Sequence, residues 1–338
     1  MATRVTRRPL ATLPTPFEPM PRLGAHLGVA NLFVKRDDLT GLALGGNKAR
    51  KLDLLCADAL DRGCDALVTG GGVQSNHARM TAAAASRLGL GCHLVLGGPP
   101  RDRKTANLLL DQLFGATLHF TDDLDVGELE LEASADSYYG LEQAITDVAE
   151  RVRADGAQPY VIPIGGASTV GAVAYVLAAD ELTAQLPDAG ITDIDTVVVA
   201  DGSGGTHAGL LAGLPSTTTI VGVDVGTRPD LDDEVPTLAA DAARASGRSV
   251  PIAAAVVDHD HFGDGYGAVT EPALEALRLT ARLEGIALDP VYSAKAMAAL
   301  ITRLADGRID RAANVVFWHT GGAVALFSDR YADVLSAL

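Results

Sequence analysis

The sequence predicts an α/β protein whose mostly parallel, twisted sheets are flanked by helices on both faces. Short apolar runs alternate along the chain with amphipathic segments of helical length, which is the pattern of parallel strands joined by crossover helices. Glycine-rich turns follow four of the apolar runs, where strands give way to helices. Because parallel sheets bind ligands beyond the carboxyl ends of their strands, we expect these turns to border a common cleft.

Eight apolar runs are the predicted strands. In chain order they are Leu32–Lys35, Ala66–Thr69, His93–Leu96, Thr117–Phe120, Tyr160–Pro163, Thr196–Ala200, Thr219–Val223 and Asn314–Trp318. Amphipathic segments lie between them, and an example of the i, i+3, i+4, i+7 spacing is the series Met297, Leu300, Ile301 and Leu304. The segment beginning Thr270-Glu-Pro offers a capping hydroxyl and a proline in the first turn, which predicts a helix start.

The chain is long enough for about two domains, since it has 338 residues of which 48% are hydrophobic. We predict a large domain formed by residues 1–52 and 164–338, with a smaller α/β domain of residues 53–163 inserted into it. Each domain is expected to hold one mostly parallel sheet. The acidic stretch Asp122–Glu132 is interpreted as a solvated excursion and not as a linker between the domains.

The formal charge of −16 makes nucleic acid and anionic membranes poor partners, because an acidic surface repels both. No stretch is typical of a transmembrane helix, and the first residues lack the continuous apolar segment of a signal peptide. The three cysteines, Cys56, Cys64 and Cys92, form no CxxC pair, which indicates reduced thiols. These features favour a cytoplasmic enzyme that acts on a small molecule.

The most informative residue is Lys48, one of only five lysines in the chain. It follows two glycines in the segment GGNKARKL. It also opens an amphipathic segment with helical spacing of Leu52, Leu55, Cys56 and Ala59. An amine on such a bend can point into a cleft and form a Schiff base with a carbonyl compound. Lys48 is therefore the candidate for carbonyl-cofactor chemistry.

Two glycine-rich turns offer N–H groups to anions. In the segment Gly202–Gly209, glycines and hydroxyls stand at a predicted helix start, which suits a phosphate. Its spacing matches neither a Walker loop nor the dinucleotide-binding motif, and a tight turn needed for packing is an equal explanation. After three glycines, Ser75, Asn76 and His77 place donors at another helix start, which suits a carboxylate. For Ser75, Asn76 and His77 taken by themselves, helix capping is the simpler explanation.

Further candidates lie toward the end of the chain. Tyr266 and Tyr292 stand in turn-rich segments, and a phenol beside a Schiff base can stack, donate or shuttle protons; ordinary packing is the alternative. Thr320 follows an apolar strand, where its hydroxyl can meet a ligand heteroatom, whereas His319 is interpreted as structural. We expect no metal site, because the one local cluster, Asp258–Gly265, is interpreted as a solvated loop.

Taken together, these motifs resemble one family over nearly the whole chain. They occur in the order LPTPFEPMPRLGAHLG, VKRDDLTG, GGNKARKL, QSNHAR, GSGGTHAGL, LDPVYSAKAM and HTGG. They are similar to the tryptophan-synthase-β-like (fold type II) pyridoxal-phosphate enzymes. Within these they resemble the group of 1-aminocyclopropane-1-carboxylate (ACC) deaminase, D-cysteine desulfhydrase and L-cysteate sulfo-lyase. The resemblance implies a homodimeric lyase that binds pyridoxal 5′-phosphate and a small amino acid.

The resemblance also implies roles for the candidate residues. Lys48 would form the Schiff base with the cofactor and later move the α-proton of the substrate. Thr320 would face the pyridine nitrogen, and Asn76 would bond the 3′-oxygen of the cofactor and contact the substrate. The phosphate would be cradled by Gly202, Ser203, Gly204, Gly205 and Thr206. The remaining substrate contacts would be Ser75 and His77 at the carboxylate, with Tyr292 and Tyr266 over the reacting carbon; the catalytic set is Lys48, Ser75, Tyr292 and Tyr266.

One position separates the members of this group. ACC deaminases carry a glutamate directly after the tyrosine of the DPVY segment, where this chain has Ser293. Opening a cyclopropane demands more electron withdrawal than expelling sulfide, and a neutral Thr320 at the pyridine nitrogen weakens that withdrawal. The sequence therefore favours α,β-elimination, with D-cysteine giving pyruvate, hydrogen sulfide and ammonia.

Other functions stay open at this stage. ACC deamination and L-cysteate desulfonation fit almost every motif. A nucleotide-dependent oxidoreductase fits less well, because the dinucleotide-binding motif is absent. A non-catalytic amino-acid binder is the third class, but such a protein has no use for the amine of Lys48.

Overall fold

The structure is a computed structural model, and it describes residues 6–123, 135–248 and 255–336. Most of the acidic stretch Asp122–Glu132 lies outside the described residues. The strands are β1 (Phe17–Pro19), β2 (Asn31–Arg36), β3 (Ala66–Gly72), β4 (Gly91–Gly97), β5 (Thr117–Phe120), β6 (Pro159–Val161), β7 (Thr196–Asp201), β8 (Thr219–Asp224), β9 (Val256–Asp258) and β10 (Asn314–His319).

The helices complete the α/β alternation. They are α1 (Pro21–Leu27), α2 (Lys48–Asp61), α3 (Asn76–Leu88), α4 (Ala106–Leu113), α5 (Ala135–Ala154), α6 (Thr169–Gln185), α7 (Gly205–Gly213), α8 (Leu231–Ala245), α9 (Glu271–Glu284), α10 (Ser293–Ala305) and α11 (Ala332–Ser336). Helix α9 starts as predicted, because the Thr270 hydroxyl accepts a hydrogen bond from the Ala273 N–H. Within the described ranges, no helix is long and apolar enough to cross a membrane.

The larger sheet has the strand order β1-β2-β10-β7-β8-β9. Its strands run parallel to their neighbours, except that β1 is antiparallel to β2. Side chains alternate between two buried faces: Val197 and Val199 pack against α6, α7 and α8, whereas Val198 packs on the side of α1, α9 and α10. The predicted α/β class with mostly parallel sheets between helices is therefore confirmed.

The smaller sheet is wholly parallel, in the order β5-β4-β3-β6. It differs from expectation at β3, where we predicted a glycine turn directly after Thr69. Gly70, Gly71 and Gly72 instead continue the strand in register with β4. A Cβ at Gly70 would lie 2.9 Å from the Ile145 side chain, so this stretch accepts only glycine at that point.

Helix α2 lies between the two sheets. It packs against α6 beside the larger sheet and against α3 beside the smaller one. The predicted domain boundary between residues 52 and 53 falls inside this helix. The division of the chain into two domains stays a prediction.

A buried carboxylate fastens α2 to the larger sheet. Asp37, fully buried, accepts hydrogen bonds from Arg50 Nη2 (2.8 Å), from the Tyr175 hydroxyl (2.6 Å) and from Trp318 Nε1 (2.9 Å). Burial alone would raise the pKa of Asp37, but attraction to Arg50 and these bonds hold it below its usual value. Since Arg50 is two residues after Lys48, the carboxylate fixes the first turn of the helix that carries the lysine.

Candidate active site

A cavity opens at the carboxyl ends of both sheets, where the glycine-rich turns meet. It is lined by residues that follow β3, β7, β8 and β10, together with the starts of α2 and α3. All predicted site residues except Gly205 line it, namely Lys48, Ser75, Asn76, His77, Gly202, Ser203, Gly204, Thr206, Tyr266, Tyr292 and Thr320. The glycine-rich turns therefore meet at one cleft, as expected for a ligand site at the carboxyl ends of parallel strands.

Lys48 is the first residue of α2 and extends into the cavity. The preceding glycines have φ values of 77° and 131°, and a Cβ at Gly45 would collide with the Asp38 carbonyl oxygen. The amine donates to Asn47 Oδ1 at 3.0 Å. Burial lowers the pKa of this amine to about 8, although attraction to Asp201 opposes the shift. A lysine in this state can present its neutral, nucleophilic form near neutral pH.

The turn after β7 forms an anion cup. Gly204 has φ 84°, and α7 begins at the next residue, so the first N–H groups of α7 have no acceptor within the helix. Asp201 fixes the turn: one carboxylate oxygen accepts from the Gly204 N–H (3.0 Å) and the other bonds His207 Nδ1 (2.8 Å). Gly205 lies behind the cavity wall, where a Cβ would meet Lys51 Nζ at 2.8 Å.

Lys51 is a site residue that sequence reasoning missed. It is fully buried, and its amine donates to the Gly165 carbonyl oxygen at 3.0 Å. Burial and repulsion from Lys48 hold the pKa of Lys51 well below its usual value. Its position beside Gly205 places an amine, which can donate a hydrogen bond, next to the anion cup. The available signal was spacing, since Lys51 is three residues after Lys48 and therefore shares its face of α2.

Asn76 is held in one orientation by residues outside the cavity. Its side-chain oxygen accepts from Arg79 Nη1 (3.1 Å) and from Asn107 Nδ2 (3.1 Å). Because the oxygen is engaged on that side, the amide NH₂ is the end left for a ligand in the cavity. Such a donor suits the 3′-oxygen role that the resemblance implies. Asn107 is 31 residues away in sequence, so no local pattern could have indicated it.

Ser75 and His77 flank Asn76 at the start of α3. The Ser75 hydroxyl accepts from the Ala78 N–H (3.1 Å) and so caps the helix, as the simpler explanation held. Thr69 donates its hydroxyl proton to the Ile162 carbonyl (2.7 Å), so His77 Nε2, 3.0 Å away, must be the donor to Thr69. His77 Nδ1 is then an acceptor, and burial holds the pKa of His77 well below its usual value. The side chain thus offers no donor to a carboxylate, and that role would fall to the N–H groups of the first turn.

Two tyrosines cover the cavity together. The hydroxyls of Tyr266 and Tyr292 are 2.6 Å apart, and their rings meet edge to face with centroids 6.0 Å apart. Burial raises the pKa of Tyr266 and places that of Tyr292 well above its usual value. Both phenols are therefore protonated at neutral pH; one hydroxyl donates to the other, and the proton of the accepting hydroxyl is left to donate a hydrogen bond to a ligand.

Of the two residues Thr320 and Ser293, only Thr320 lines the cavity. Thr320 follows β10 and lines the cavity, as the sequence predicted. Ser293 is buried and does not line it, because its hydroxyl donates to Asp289 Oδ1 (2.7 Å) and accepts from the Asp289 N–H (2.8 Å). Among the described residues lining the cavity, the only carboxylate is Asp201, which is engaged with Gly204 and His207.

The segment after Asp258 is a loop, as we predicted, but it is solvated only in part. Asp258 and His261 are buried; Asp258 bonds His261 Nδ1 (2.7 Å) and Arg303 Nε (2.7 Å). His259, Asp260, Gly263 and Asp264 are exposed, whereas Asp258 and His261 cross-link β9 to α10. In the part of the chain that the structure describes, no three His, Cys, Asp or Glu residues are grouped to hold a metal ion.

Comparison with known proteins identifies the family. The sequence profile described as "Pyridoxal-phosphate dependent enzyme" matches residues 9–321. The chain belongs to this family of pyridoxal-phosphate enzymes. It is 42% identical to a D-cysteine desulfhydrase of Klebsiella pneumoniae subsp. pneumoniae, over 96% of this chain and 97% of that protein. A second D-cysteine desulfhydrase, of Klebsiella pneumoniae strain 342, is 41% identical over the same shares of the two chains.

Solved structures agree with this family assignment. A crystal structure of an ACC deaminase homologue has a TM-score of 0.86 and 35% identity, and the match covers 99% of this chain and 96% of that one. A hydrogen sulfide-producing enzyme of Fusobacterium nucleatum has a TM-score of 0.62 at 14% identity, covering 96% and 97% of the two chains, and it shows a shared fold alone. The resemblance drawn from the motifs is therefore confirmed at the level of family, fold and cofactor.

The residues of this cavity fit the cofactor of the family. Its phosphate suits the cup after β7, where Gly205 keeps space in front of the Lys51 amine. A Cβ at Gly165 would press on Ser203 Cβ at 2.9 Å and approach Lys48 Cε at 3.7 Å, so glycine also keeps the space beside the lysine clear. Lys48, Asn76 and Thr320 are the groups that would meet the rest of the cofactor.

A buried acid behind the site gives a pH-dependent prediction. Asp111 in α4 is fully buried, and within the described residues neither of its carboxylate oxygens has a hydrogen-bond partner. Burial raises the pKa of Asp111 from 3.8 to about 8, although attraction to Arg79 opposes the shift. A folded-state pKa above the unfolded value means that the stabilising effect of the bound proton is lost as pH rises toward 8.

Asp111→Asn should therefore remove part of the pH dependence of folding. Between about pH 5 and 7, the free energy of unfolding of the wild type is expected to fall relative to the variant by up to about 1.4 kcal/mol per pH unit. Urea denaturation of both proteins at several pH values measures this difference. Asp188→Asn, at an exposed carboxylate, is the matched control and should keep the wild-type slope. Parallel curves for Asp111→Asn and the wild type would contradict the prediction.

Proposed function

We propose that this enzyme catalyses the α,β-elimination of D-cysteine to pyruvate, hydrogen sulfide and ammonia. The observation that carries the proposal is the placement of Lys48, whose amine reaches the cavity opposite two protonated phenols. The motif resemblance and the names of the two 41–42% identical relatives support the substrate. No acidic side chain in the described lining is free to protonate a substrate.

The side chains divide the work as follows. Bound pyridoxal phosphate supplies the electron sink that makes the substrate's Cα–H bond acidic. The Lys48 amine takes that proton, because burial lowers its pKa to about 8 and so makes the neutral amine accessible near neutral pH. The Tyr266–Tyr292 pair donates a hydrogen bond to the departing sulfur, and the N–H groups at the start of α3 hold the substrate carboxylate.

The polarity around Thr320 supports elimination over cyclopropane ring opening. A threonine hydroxyl at the pyridine nitrogen is neutral, so it stabilises a protonated ring less than a carboxylate does. Expelling a thiol needs less electron withdrawal than breaking a carbon–carbon bond. ACC deamination remains the second candidate, because the ACC deaminase homologue has the same fold with a TM-score of 0.86.

We also propose that the enzyme is a cytoplasmic homodimer. Leu109 and Leu113 on α4 and Phe327 on the turn packed against α4 form an exposed apolar patch, and Leu44 is exposed on a turn that packs against α3. Leu44, Leu113 and Phe327 are each about 70% exposed or more, and such a patch favours a protein partner. Cys56, Cys64 and Cys92 are free thiols, which fits a reducing compartment.

The test is α-keto acid release by cofactor-loaded enzyme from D-cysteine, L-cysteine, L-cysteate and ACC offered in parallel. We expect pyruvate from D-cysteine, with kcat/KM at least about tenfold above that for any other compound. Equimolar sulfide should accompany the pyruvate. Release of α-ketobutyrate from ACC at a higher rate than pyruvate from D-cysteine would show that the enzyme opens the cyclopropane ring and is an ACC deaminase. Release of pyruvate from L-cysteate would show that sulfite is the leaving group.

A further inference from the structure

A second cavity lies on the other side of the tyrosine pair. Its volume is about 710 Å³, within the range of small-molecule pockets. Gly72, Asn76, Tyr266 and Tyr292 line both this cavity and the one that holds Lys48. Expelling sulfide from cysteine needs no such space, since its β-substituent is a single heavy atom. The cavity therefore has room for something larger attached beyond the reacting carbon.

The far wall of this second cavity is cationic. Arg101, Arg103 and Arg330 line it, with Asp102 and Asp329 as its only acidic residues among those described. Arg103 is paired with Asp329 at 3.3 Å. Arg330 has no carboxylate within salt-bridge distance among the described residues, although the protein as a whole carries a charge of −16. The Arg330 residue is exposed and has no carboxylate partner among the described residues, so its guanidinium is free to bind an anion that enters this cavity.

The Arg330 side chain is also held in place. Its guanidinium lies over the Tyr331 ring, 5.6 Å from the centroid, which is within the distance of a cation–π contact. On the other side it packs against Gly267, where a Cβ would stand 2.7 Å from Nη2. The Tyr331 hydroxyl in turn donates to the Gly267 carbonyl oxygen at 3.4 Å. The positive charge of Arg330 therefore lies beside Gly267, the residue that follows Tyr266.

We propose that this cavity is a subsite for the β-substituent of the substrate, and that Arg330 binds a carboxylate at the end of that substituent. The substrate class is then S-substituted cysteines with an anionic tail, in addition to cysteine itself. This inference rests on the proposed elimination activity. The substituent passes the Tyr266–Tyr292 pair, so the sulfur lies at the phenols while its tail reaches the arginine.

The reaction is the same elimination with a different leaving group. Lys48 takes the α-proton, the Cβ–S bond breaks, and its electron pair leaves with sulfur. The sulfur accepts a proton and departs as a thiol. The remaining three-carbon fragment adds water and gives pyruvate and ammonia. For S-carboxymethylcysteine the thiol is thioglycolate, and no oxidant or reductant is consumed.

The experiment compares two substrates of nearly equal shape. S-Carboxymethyl- and S-carbamoylmethylcysteine, each as both enantiomers, differ only in a terminal carboxylate or neutral amide. We expect the holoenzyme to prefer the carboxylate in kcat/KM by about tenfold or more, as for a charge-assisted guanidinium contact. Arg330→Gln should bring this ratio to about one, and Arg330→Lys should keep part of it. Arg244→Gln removes an exposed arginine of α8 and should keep the wild-type ratio.

Binding is measured separately from turnover. The visible absorbance of the bound cofactor, titrated with each compound, gives apparent dissociation constants whose ratio should follow the same pattern. A wild-type ratio near one in both measurements, or an equal loss for both compounds in Arg330→Gln, would overturn the subsite. D-cysteine turnover in the same preparation separates the two proposals. If D-cysteine reacts while neither S-substituted compound reacts or binds, this inference fails and the elimination activity stands.

Discussion

Replacing Lys48 by alanine is expected to reduce turnover by more than about 1,000-fold and to abolish the visible absorbance of the bound cofactor. The loss follows from the cavity geometry, in which the Lys48 amine is the one that extends from α2 into the space between the glycine turns. Lys51, although close, is buried behind the cup and hydrogen-bonded to the Gly165 carbonyl. Absorbance spectra and single-turnover assays with D-cysteine measure both effects.

Two controls sharpen this prediction. Lys104→Ala removes a lysine outside the site cavity and should leave both spectrum and turnover as in the wild type. The far-ultraviolet circular dichroism of Lys48→Ala should match the wild type, because the fold around Asp37 is independent of the amine. A Lys48→Ala protein that kept the absorbance band or more than a few per cent of the activity would show that another residue holds the cofactor.

Asp37→Asn is expected to lower the free energy of unfolding by about 3–5 kcal/mol. The carboxylate is fully buried and accepts from Arg50, Tyr175 and Trp318. An amide keeps the shape but removes the negative charge, so the buried Arg50 guanidinium loses the one of its two carboxylate partners that is fully buried. Urea denaturation followed by circular dichroism gives the change directly.

The matched control is a surface ion pair on the same helix. Arg62 and Asp58 are bridged at 2.8 Å near the end of α2, but the Arg62 side chain is 64% exposed. Arg62→Met should cost less than about 1 kcal/mol because solvent screens such pairs. A loss for Asp37→Asn no larger than for Arg62→Met would mean that Glu181, which also bonds Arg50 at 2.7 Å, compensates for the missing charge.

Local pattern was sufficient for most of the fold. Each of the eight predicted strands is present, and Thr117–Phe120 has the predicted bounds, because buried parallel strands are continuous apolar runs. The missed strands, β1 and β9, have three residues each, too few for a pattern. The glycines of β3 were read as a turn, since nothing local shows that the Val95 carbonyl and Ile145 crowd Gly70.

The site was predictable where motifs are contiguous and not where partners come from distant segments. Lys48 and the turn from Gly202 follow from their glycine contexts. The orientation of Asn76 depends on Asn107, and the tautomer of His77 depends on the Ile162 carbonyl reached through Thr69. Those contacts form only when β3, β6 and α4 come together. The buried Asp258–Arg303 pair likewise forms only when β9 packs against α10, so no local pattern indicated it.

The position of α2 has a consequence for motion. One helix packs against α6 beside the larger sheet and against α3 beside the smaller sheet. If the sheets rotate relative to each other, helix α2 would lie at the axis of the rotation. Its first turn is anchored to the larger sheet by the hydrogen bond from Arg50 to Asp37, so Lys48 would move little during such a rotation. Ser75 and Asn76, at the start of α3 beside the smaller sheet, would move toward or away from the Lys48 amine.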